Sequence, residues 1–363
     1  MTDPVLPQLR VVAIGGGTGL STLLMGLKRY VATPGSPTGF DRRGGSRGRA
    51  GMKTCPDAPC LIRDLAAVVT VTDDGGSSGR LREELQMLPP GDIRNCMVAL
   101  SEDEHLLSRL FQYRFAQGDL EGHSFGNLFL AALNGISGDF AQAVHMSSQI
   151  LATRGRIYPA TTAHATLTAR MDDGSVVRGE TNITASKRSI VELMLDPPEV
   201  DPIPETLAAI AQADLITLGP GSLYTSLITN LLVRGIPEAI AGSKAVRVYV
   251  CNLMTQANES LGLTASEHIE KILNHCGGAR GQRIFDYALI NTAPIRPDTL
   301  AQYERGGQEP IEADLDRVRA LGVEPIAGNF VHEGEVLRHD YEAVARVLME
   351  LALHAGSRQG GRG

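Results

Sequence analysis

The sequence predicts an α/β fold built on a doubly wound, mainly parallel sheet, and three observations support this prediction. Apolar stretches rich in Val, Ile and Leu recur with little alternation, as expected for strands that helices cover on both faces. The segments between them are long enough for crossover helices. Glycine-rich or polar turns follow several of the stretches. The predicted strands are Val11–Ile14, Ala67–Thr72, Leu215–Leu218, Val246–Cys251 and Phe285–Ile290.

Two further elements complete this architecture. Short β-like runs flank Asp173-Gly174, a dipeptide that suits a two-residue turn, so an antiparallel hairpin is predicted over Ala163–Ile183 and is expected to be added to the sheet. The chain is predicted to end in a helix over Tyr341–His354. The residues spaced to face the core from this helix are Val344, Val347, Leu348 and Leu351.

The domain organisation follows from composition. One domain is predicted over residues 1–355, because the length is ample for a single large α/β core. Segment 33–59 is rich in Gly, Pro and Arg and is predicted to be a flexible insertion in a loop. The last residues, 356–363, are predicted to form a disordered tail, since such compositions bury too little apolar surface to become ordered.

Bulk properties exclude several classes of protein. No apolar run approaches the roughly 20 residues of a membrane span, and the N-terminal sequence lacks the pattern of a signal peptide. Five cysteines, an odd number, fit a reducing compartment, so a cytoplasmic protein is expected. A net charge of −7, 4% aromatic residues and no Trp argue against a nucleic-acid partner.

The first strand leads into a glycine-rich turn that is suited to a phosphate. Backbone N–H groups at the start of the following helix, predicted over Ser21–Tyr30, would face an anion that the helix dipole also favours. Leu20 stands where a dinucleotide fingerprint needs a small residue, and the first lysine, Lys28, is too late for a P-loop. The alternative is a tight turn without a ligand. The candidate residues are Gly15, Gly16, Gly17, Thr18 and Gly19.

A second turn of this kind follows the strand Leu215–Leu218, and a helix is predicted from about Leu223. Its residues are Gly219, Pro220, Gly221 and Ser222. Two such turns in one chain predict a ligand with more than one phosphate, or a phosphorylated ligand clamped between them.

The sequence VTVTDDGGSSGRLREEL places two acids at a strand end. Asp73 and Asp74 are candidates for contacts to ribose hydroxyls, or for holding Mg²⁺ against a diphosphate. Ser77 and Ser78 supply hydroxyl groups, and Arg80 can neutralise phosphate charge. The alternative is a polar loop in which an Asp caps a helix beginning near Arg80.

Two helix starts carry further candidates. In PPGDIRNC, Asp92 is predicted to be the N-cap of a helix over Ile93–Leu100. In GHSFGNLF, Ser124 is the predicted cap, and His123 is a candidate general base unless it is structural. The polar side chains near these helix starts that are predicted to face the ligand are Arg94, Asn95 and Asn127.

Seven motifs in this order resemble the gluconeogenesis factor family (the YvcK group), bacterial relatives of 2-phospho-L-lactate transferase (the CofD group). They are GGGTGLSTLLMGLK, VTDDGGSSGRLR, PPGDIRNC, GHSFGNLFLAAL, LGPGSLYTSLITNLL, YVCNLMTQ and RHD. The resemblance extends from Val11 to Leu353, apart from the insertion. It implies a Rossmann-like fold.

The resemblance also implies a function. The expected protein is a cytoplasmic regulator that binds UDP-N-acetylglucosamine or a related UDP-sugar, requires no cofactor, and links carbon metabolism to cell-wall synthesis and cell shape. The diphosphate would lie across the two glycine turns, and Arg338 of the RHD motif would lie at the UDP-sugar. Asn252 and Asn291 are candidates to grip the uridine and the sugar. A regulatory protein partner and a homodimer are expected.

The alternative function is that of the transferase relatives. These proteins move a phosphorus-containing group from a nucleotide-activated donor with Mg²⁺. Asp73 and Asp74 would then lie at the metal and the acceptor. The continuation DDGGSSG differs from that of the transferases, which argues against deazaflavin as the acceptor.

Overall fold

The structure is a computed structural model that describes residues 8–32, 60–102 and 106–360. The predicted insertion, 33–59, lies outside the described residues. The closing helix continues to Gly360, into the segment for which the sequence predicts disorder.

A seven-stranded parallel sheet forms the centre of the molecule, with the spatial order β10-β9-β8-β7-β1-β2-β3. Every neighbouring pair is parallel, which confirms the predicted fold class. The chain winds outward in one direction from β1 and in the other from β7, so the topological switch point lies between these two strands. The strands are β1 Leu9–Gly15, β2 Ile62–Val69, β3 Arg156–Pro159, β7 Leu215–Leu218, β8 Val246–Val250, β9 Tyr287–Asn291 and β10 Glu324–Gly328.

Two of the predicted strands are displaced along the chain, and two strands of the main sheet were not predicted. The strand predicted at Ala67–Thr72 ends at Val69, and that predicted at Phe285–Ile290 begins at Tyr287. The unpredicted strands β3 and β10 lie at the two edges of the sheet. Edge strands have a neighbouring strand on one side only, and both β3 and β10 contain exposed and half-buried positions, so they lack the long apolar runs that identified the central strands.

The predicted hairpin exists, but it is not part of the main sheet. β4 Thr166–Met171 and β5 Val176–Arg178 pair around the predicted turn, where Gly174 has a φ of +83°. β4 pairs on its other side with β6 Ile190–Asp196, forming a separate antiparallel sheet. Its apolar face, which includes Leu167 and Leu195, packs into the core, and this burial fixes its position. A second small sheet joins β11 Val331–Glu333 to β12 Leu337–His339.

Helices cover both faces of the main sheet. Among the described residues, none of the helices has both the length and the apolar character needed to cross a membrane. The α-helices are α1 Gly17–Lys28, α2 Gly76–Leu85, α3 Gly91–Leu100, α4 Leu106–Gln112, α5 Phe125–Ser137, α6 Phe140–Ile150, α7 Glu180–Ala185, α8 Pro204–Gln212, α9 Thr229–Leu231, α10 Ile236–Gly242, α11 Ala265–Asn274, α12 Pro297–Glu304, α13 Leu315–Ala320 and α14 Tyr341–Gly360. A π-helical turn, Leu223–Ile228, precedes α9, and a 3₁₀ turn covers Gly277–Ala279.

The core consists of two apolar clusters, one on each face of the sheet. Val12 and Ile14 of β1 belong to one cluster, and Val11 and Ala13 belong to the other. Because neighbouring side chains of a strand point to opposite faces, β1 is buried on both sides. This arrangement explains why the central strands appear in the sequence as continuous apolar runs.

The final helix packs closely against α1, and a glycine permits this contact. A Cβ atom on Gly26 would lie 2.3 Å from the carbonyl oxygen of Tyr341, which begins α14. Gly135, on the exposed side of α5, has no neighbouring atom within 4 Å of the same position.

These two glycines give a matched test of the packing. Gly26→Ala is expected to lower the free energy of unfolding by about 1–3 kcal/mol, because α14 must move away from α1. Gly135→Ala, the control, is expected to raise it by about 0.5–1 kcal/mol, because alanine favours the helix. Urea denaturation measures both changes, and equal stability of the two variants would contradict the packing of α14 on α1.

Candidate functional site

The predicted turns meet at the carboxyl edge of the sheet. The strands β8, β7, β1 and β2 are neighbours in that order. The segments that follow them therefore lie side by side, with Asn252, the Gly219–Ser222 turn, the Gly15–Gly19 turn and then Asp73. The two glycine turns flank the switch point between β1 and β7, the place where sheets of this kind bind ligands.

The two glycine turns are in direct contact. A Cβ atom on Gly19 would lie 2.3 Å from the carbonyl oxygen of Pro220, and one on Gly221 would lie 3.3 Å from that of Gly16. Gly219 has a φ of +86° and donates its N–H to the Ile14 carbonyl at 3.0 Å. Glycine is therefore required here, at Gly19 for close approach and at Gly219 for conformation.

A pocket of about 200 Å³ opens over this contact. Six of the predicted residues line it: Gly19, Pro220, Gly221, Ser222, Asn252 and Arg338. Seven lining residues were not predicted: Thr22, Leu253, Met254, Gln256, Tyr303, Leu337 and His339. The YVCNLMTQ and RHD motifs contain four of these seven, namely Leu253, Met254, Gln256 and His339, so the motifs were a usable signal for them.

Arg338 reaches the pocket on the β11–β12 hairpin, and its neighbours hold that hairpin in place. The Nε2–H of His339 donates to the Cys251 carbonyl at 3.0 Å, and the N–H of Leu337 donates to the Tyr303 hydroxyl at 2.9 Å. Burial lowers the pKa of His339 to about 4, so its ring is neutral at physiological pH. Asp340 accepts the N–H groups of Glu342 and Ala343 at the start of α14.

Asn252 holds the second glycine turn through both groups of its amide. Its Nδ2 donates to the Gly221 carbonyl at 2.7 Å, and its Oδ1 accepts the Gly221 N–H at 3.1 Å. Asn291 is similarly committed, since it donates to the Ala293 carbonyl and accepts the N–H of Phe330. Asn291 is not among the pocket-lining residues, and its contact with a ligand stays a prediction.

Asp92 is not an N-cap, which corrects the sequence prediction. The helix α3 begins at Gly91, two residues before the predicted start at Ile93, and its N-cap is Pro90. The carboxylate of Asp92 instead accepts the N–H of Gly17, at the start of α1, at 2.7 Å. Burial raises the pKa of Asp92 to about 6, despite the hydrogen bond from Gly17, and neighbouring Asp73 raises it further.

Asp92 belongs to an acidic cluster that also contains Asp73, Asp74, Glu180 and Glu259. Burial raises the pKa of Glu180 to about 9, and the charges of the other four contribute. Asp73 accepts the N–H of Gly75 at 2.9 Å, whereas Asp74 accepts from Thr181 on α7, at 2.8 Å from its N–H and 2.7 Å from its hydroxyl. In the described part of the chain, no group of three or more His, Cys, Asp or Glu is arranged to hold a metal ion. Magnesium at Asp73 and Asp74 therefore stays a prediction.

The remaining predicted residues form a polar network away from the pocket lining. The Ser77 hydroxyl lies 3.0 Å from Nδ1 of His123, and the amide of Asn127 donates to the same hydroxyl at 3.1 Å. Burial lowers the pKa of His123, and nearby Arg80 lowers it further. Ser124 accepts the N–H of Asn127, which confirms it as the cap of α5.

Four more predicted side chains lie around this network. Arg80 lies on α2 and donates to the Glu121 carbonyl at 2.7 Å. The helix α2 begins at Gly76, whereas the sequence predicted a start near Arg80. Arg94 donates to the side chain of Asn95 at 2.7 Å, and burial lowers the pKa of Arg94. Ser78 is buried, and a Cβ atom on Gly91 would lie 2.5 Å from its hydroxyl oxygen. Their contacts are therefore made to the protein itself.

These observations define a Rossmann-like α/β protein with a pocket at the switch point of its sheet. Within this class, the chain belongs to the CofD family, because the family model of 2-phospho-L-lactate transferase CofD matches residues 11–331. It is similar to the gluconeogenesis factor of Halalkalibacterium halodurans, with 44% identity over 95% of this chain and 97% of that protein. It is also similar to the gluconeogenesis factor of Bacillus subtilis, with 42% identity over 94% and 98%.

A solved structure supports the same assignment. The crystal structure of a member of the UPF0052 family from Bacillus halodurans has a TM-score of 0.83 to this structure and 43% sequence identity. It covers 95% of this chain, and 99% of the crystallised chain is matched. The chain is thus a CofD-family homologue of the gluconeogenesis factors.

The acidic cluster predicts a pH-dependent stability. Glu180 keeps its proton in the folded protein up to about pH 9, whereas the unfolded chain loses it near pH 4.5, so its contribution to stability falls as the pH rises between these values. Glu180→Gln is therefore expected to raise the unfolding temperature by a few degrees at about pH 8 and to change it little at about pH 4.

Thermal unfolding followed by circular dichroism at both pH values provides the measurement. Glu335→Gln, at an exposed turn of the β11–β12 hairpin, is the matched control and should have little effect at either pH. Equal effects of Glu180→Gln at the two pH values would show that Glu180 is not buried among acids.

Proposed function

We propose that this protein is a cytoplasmic regulatory protein that binds UDP-N-acetylglucosamine or a related UDP-sugar. The observation that supports this most directly is the convergence of both glycine turns and Arg338 on one pocket. The backbone N–H groups at the start of α1 and the Arg338 guanidinium would share the two negative charges of a diphosphate diester. Side chains such as Tyr303 and Met254 would contact the uridine or the sugar.

Binding without reaction is favoured by the chemistry of the pocket. His339 has its Nε2–H committed to a backbone carbonyl and a pKa of about 4, so it is unsuited to proton transfer near neutral pH. Asp and Glu are absent from the described residues that line the pocket. These features suit a ligand sensor.

The regulatory role that we propose links carbon metabolism to cell-wall synthesis and cell shape. Its support is the resemblance to gluconeogenesis factors, together with the chemistry of a UDP-sugar, which is an activated building block. Ligand contact with Arg338 would alter the exposed surface of the β11–β12 hairpin. A regulatory partner protein would recognise that surface, and a homodimer is proposed as the assembly.

Calorimetry with UDP-N-acetylglucosamine tests the binding. Arg338→Ala is expected to weaken the affinity by about tenfold or more, because a charge-assisted contact to phosphate is lost. Arg170→Ala, which removes an exposed arginine paired with Glu192 on the small sheet, is the matched control and should leave the affinity unchanged. Absence of binding heat at millimolar ligand would contradict the proposed function.

A transferase is the second candidate, and the acidic cluster is the observation that favours it. Burial raises the pKa of Asp92 and of Glu180, and repulsion from neighbouring acids raises each further; a bound Mg²⁺ would relieve that repulsion. Such an enzyme would bind a nucleotide-activated donor in the pocket and hold the cation at Asp73 and Asp74.

For this candidate, Asp74→Asn is expected to abolish Mg²⁺-dependent turnover of the donor while donor binding is retained, because the carboxylate that holds the cation is lost. Mass spectrometry of the nucleotide products measures the turnover, and calorimetry measures the binding. Asp316→Asn, which removes a fully exposed carboxylate on α13, serves as the control. Turnover that persists in Asp74→Asn would exclude these acids from the reaction.

A further inference from the structure

The helix terminus expected to bind phosphate already holds an anion from the protein itself. The carboxylate of Asp92 accepts the N–H of Gly17 at 2.7 Å. A Cβ atom on Gly16 would lie 2.8 Å from the same carboxylate, so Asp92 packs directly against the turn. A ligand phosphate is therefore left with the other side of the turn, where Gly19 meets Pro220.

Charges are distributed unequally along this edge of the sheet. Arg338 lies on the β8 side of the glycine turns, because His339 beside it bonds to the carbonyl that follows β8. Asp92 and Asp73 lie on the β2 side. Arg338 is the charged side chain among the described residues that line the pocket. The carboxylates lie beyond the residues that line the pocket, so a ligand that extends from the pocket across the Gly15–Gly19 turn would have one end toward the guanidinium and the other toward the carboxylates.

This arrangement limits the charge of the ligand. Two charges of a diphosphate diester match the arginine and the N–H groups of the helix terminus. A further negative charge on the Asp92 side would meet carboxylates in a partly buried environment, where like charges repel more strongly than in water.

We propose that Asp92 is a specificity-determining residue, which makes the pocket select nucleoside diphosphate esters with an uncharged terminal group. Esters with a terminal carboxylate, and nucleoside triphosphates, are rejected through repulsion by Asp92 and its neighbour Asp73. The proposal rests on the proposed function, since it concerns the same UDP-sugar pocket. It assigns to Asp92 a role different from capping α3 and from holding a metal.

UDP-glucose and UDP-glucuronate test this proposal, because they differ only in having a hydroxymethyl or a carboxylate group on the sugar. Calorimetry is carried out without Mg²⁺, at low ionic strength and at about pH 8. The wild-type protein is expected to bind UDP-glucose at least about tenfold more tightly than UDP-glucuronate. In Asp92→Asn, the ratio of the two dissociation constants is expected to fall to about threefold or less.

The substitution keeps an oxygen that can accept the N–H of Gly17, so the fold of the turn is preserved. Asp73→Asn, which removes the neighbouring charge, should lower the ratio in the same direction and provides the test if Asp92→Asn does not fold. Asp139→Asn is the matched control, because Asp139 caps α6 by accepting from Gln142, and asparagine is also a good cap. This control should leave the ratio unchanged.

The outcomes separate this inference from the proposed function. A wild-type protein that binds UDP-glucose and UDP-glucuronate equally well overturns the specificity while the UDP-sugar function stands. The specificity is also overturned if the ratio of the two dissociation constants is the same in Asp92→Asn and Asp73→Asn as in the wild-type protein. Failure of the wild-type protein to bind UDP-glucose, UDP-glucuronate and UDP-N-acetylglucosamine overturns both proposals.

Discussion

The contact between Gly19 and Pro220 is the constraint on which the site depends. No side chain fits between these backbones, so the first turn of α1 lies directly on the loop that follows β7. The positive φ of Gly219 and its hydrogen bond to Ile14 carry that loop across the end of β1. The pocket is thus created by backbone geometry at the switch point of the sheet, and side chains then supply its charge.

That charge comes from segments anchored at some distance. The β11–β12 hairpin presents Arg338, and its position depends on the hydrogen bonds of His339 and Leu337 to the body of the protein. Asp92 approaches from the opposite side on α3. The buried carboxylates of Asp92 and Glu180 oppose stability when ionised, which is characteristic of groups retained for function. The two large apolar clusters on either face of the sheet offset this cost.

The central strands and both glycine turns were predictable because their signals are local. A strand buried on both faces is a continuous apolar run, and a turn with close backbone contacts needs glycine. The edge strands β3 and β10 were missed because they are only partly buried and so do not need a continuous apolar run. The β4–β5 hairpin was recognisable from Asp173-Gly174, but the pairing of β4 with β6 gives no turn signal in the sequence.

The sequence by itself determined the class of fold, the positions of the two phosphate-type turns and, through its ordered motifs, the family. Only the tertiary structure decided which side chains meet. Asp92 has the local appearance of an N-cap, but its partner is Gly17, 75 residues away. Arg338 is an isolated charge in the sequence and stays exposed in the structure, but the hairpin places it in the same pocket lining as Gly221 and Asn252. Local propensity specifies individual elements, whereas hydrogen bonds between distant loops depend on how those elements pack.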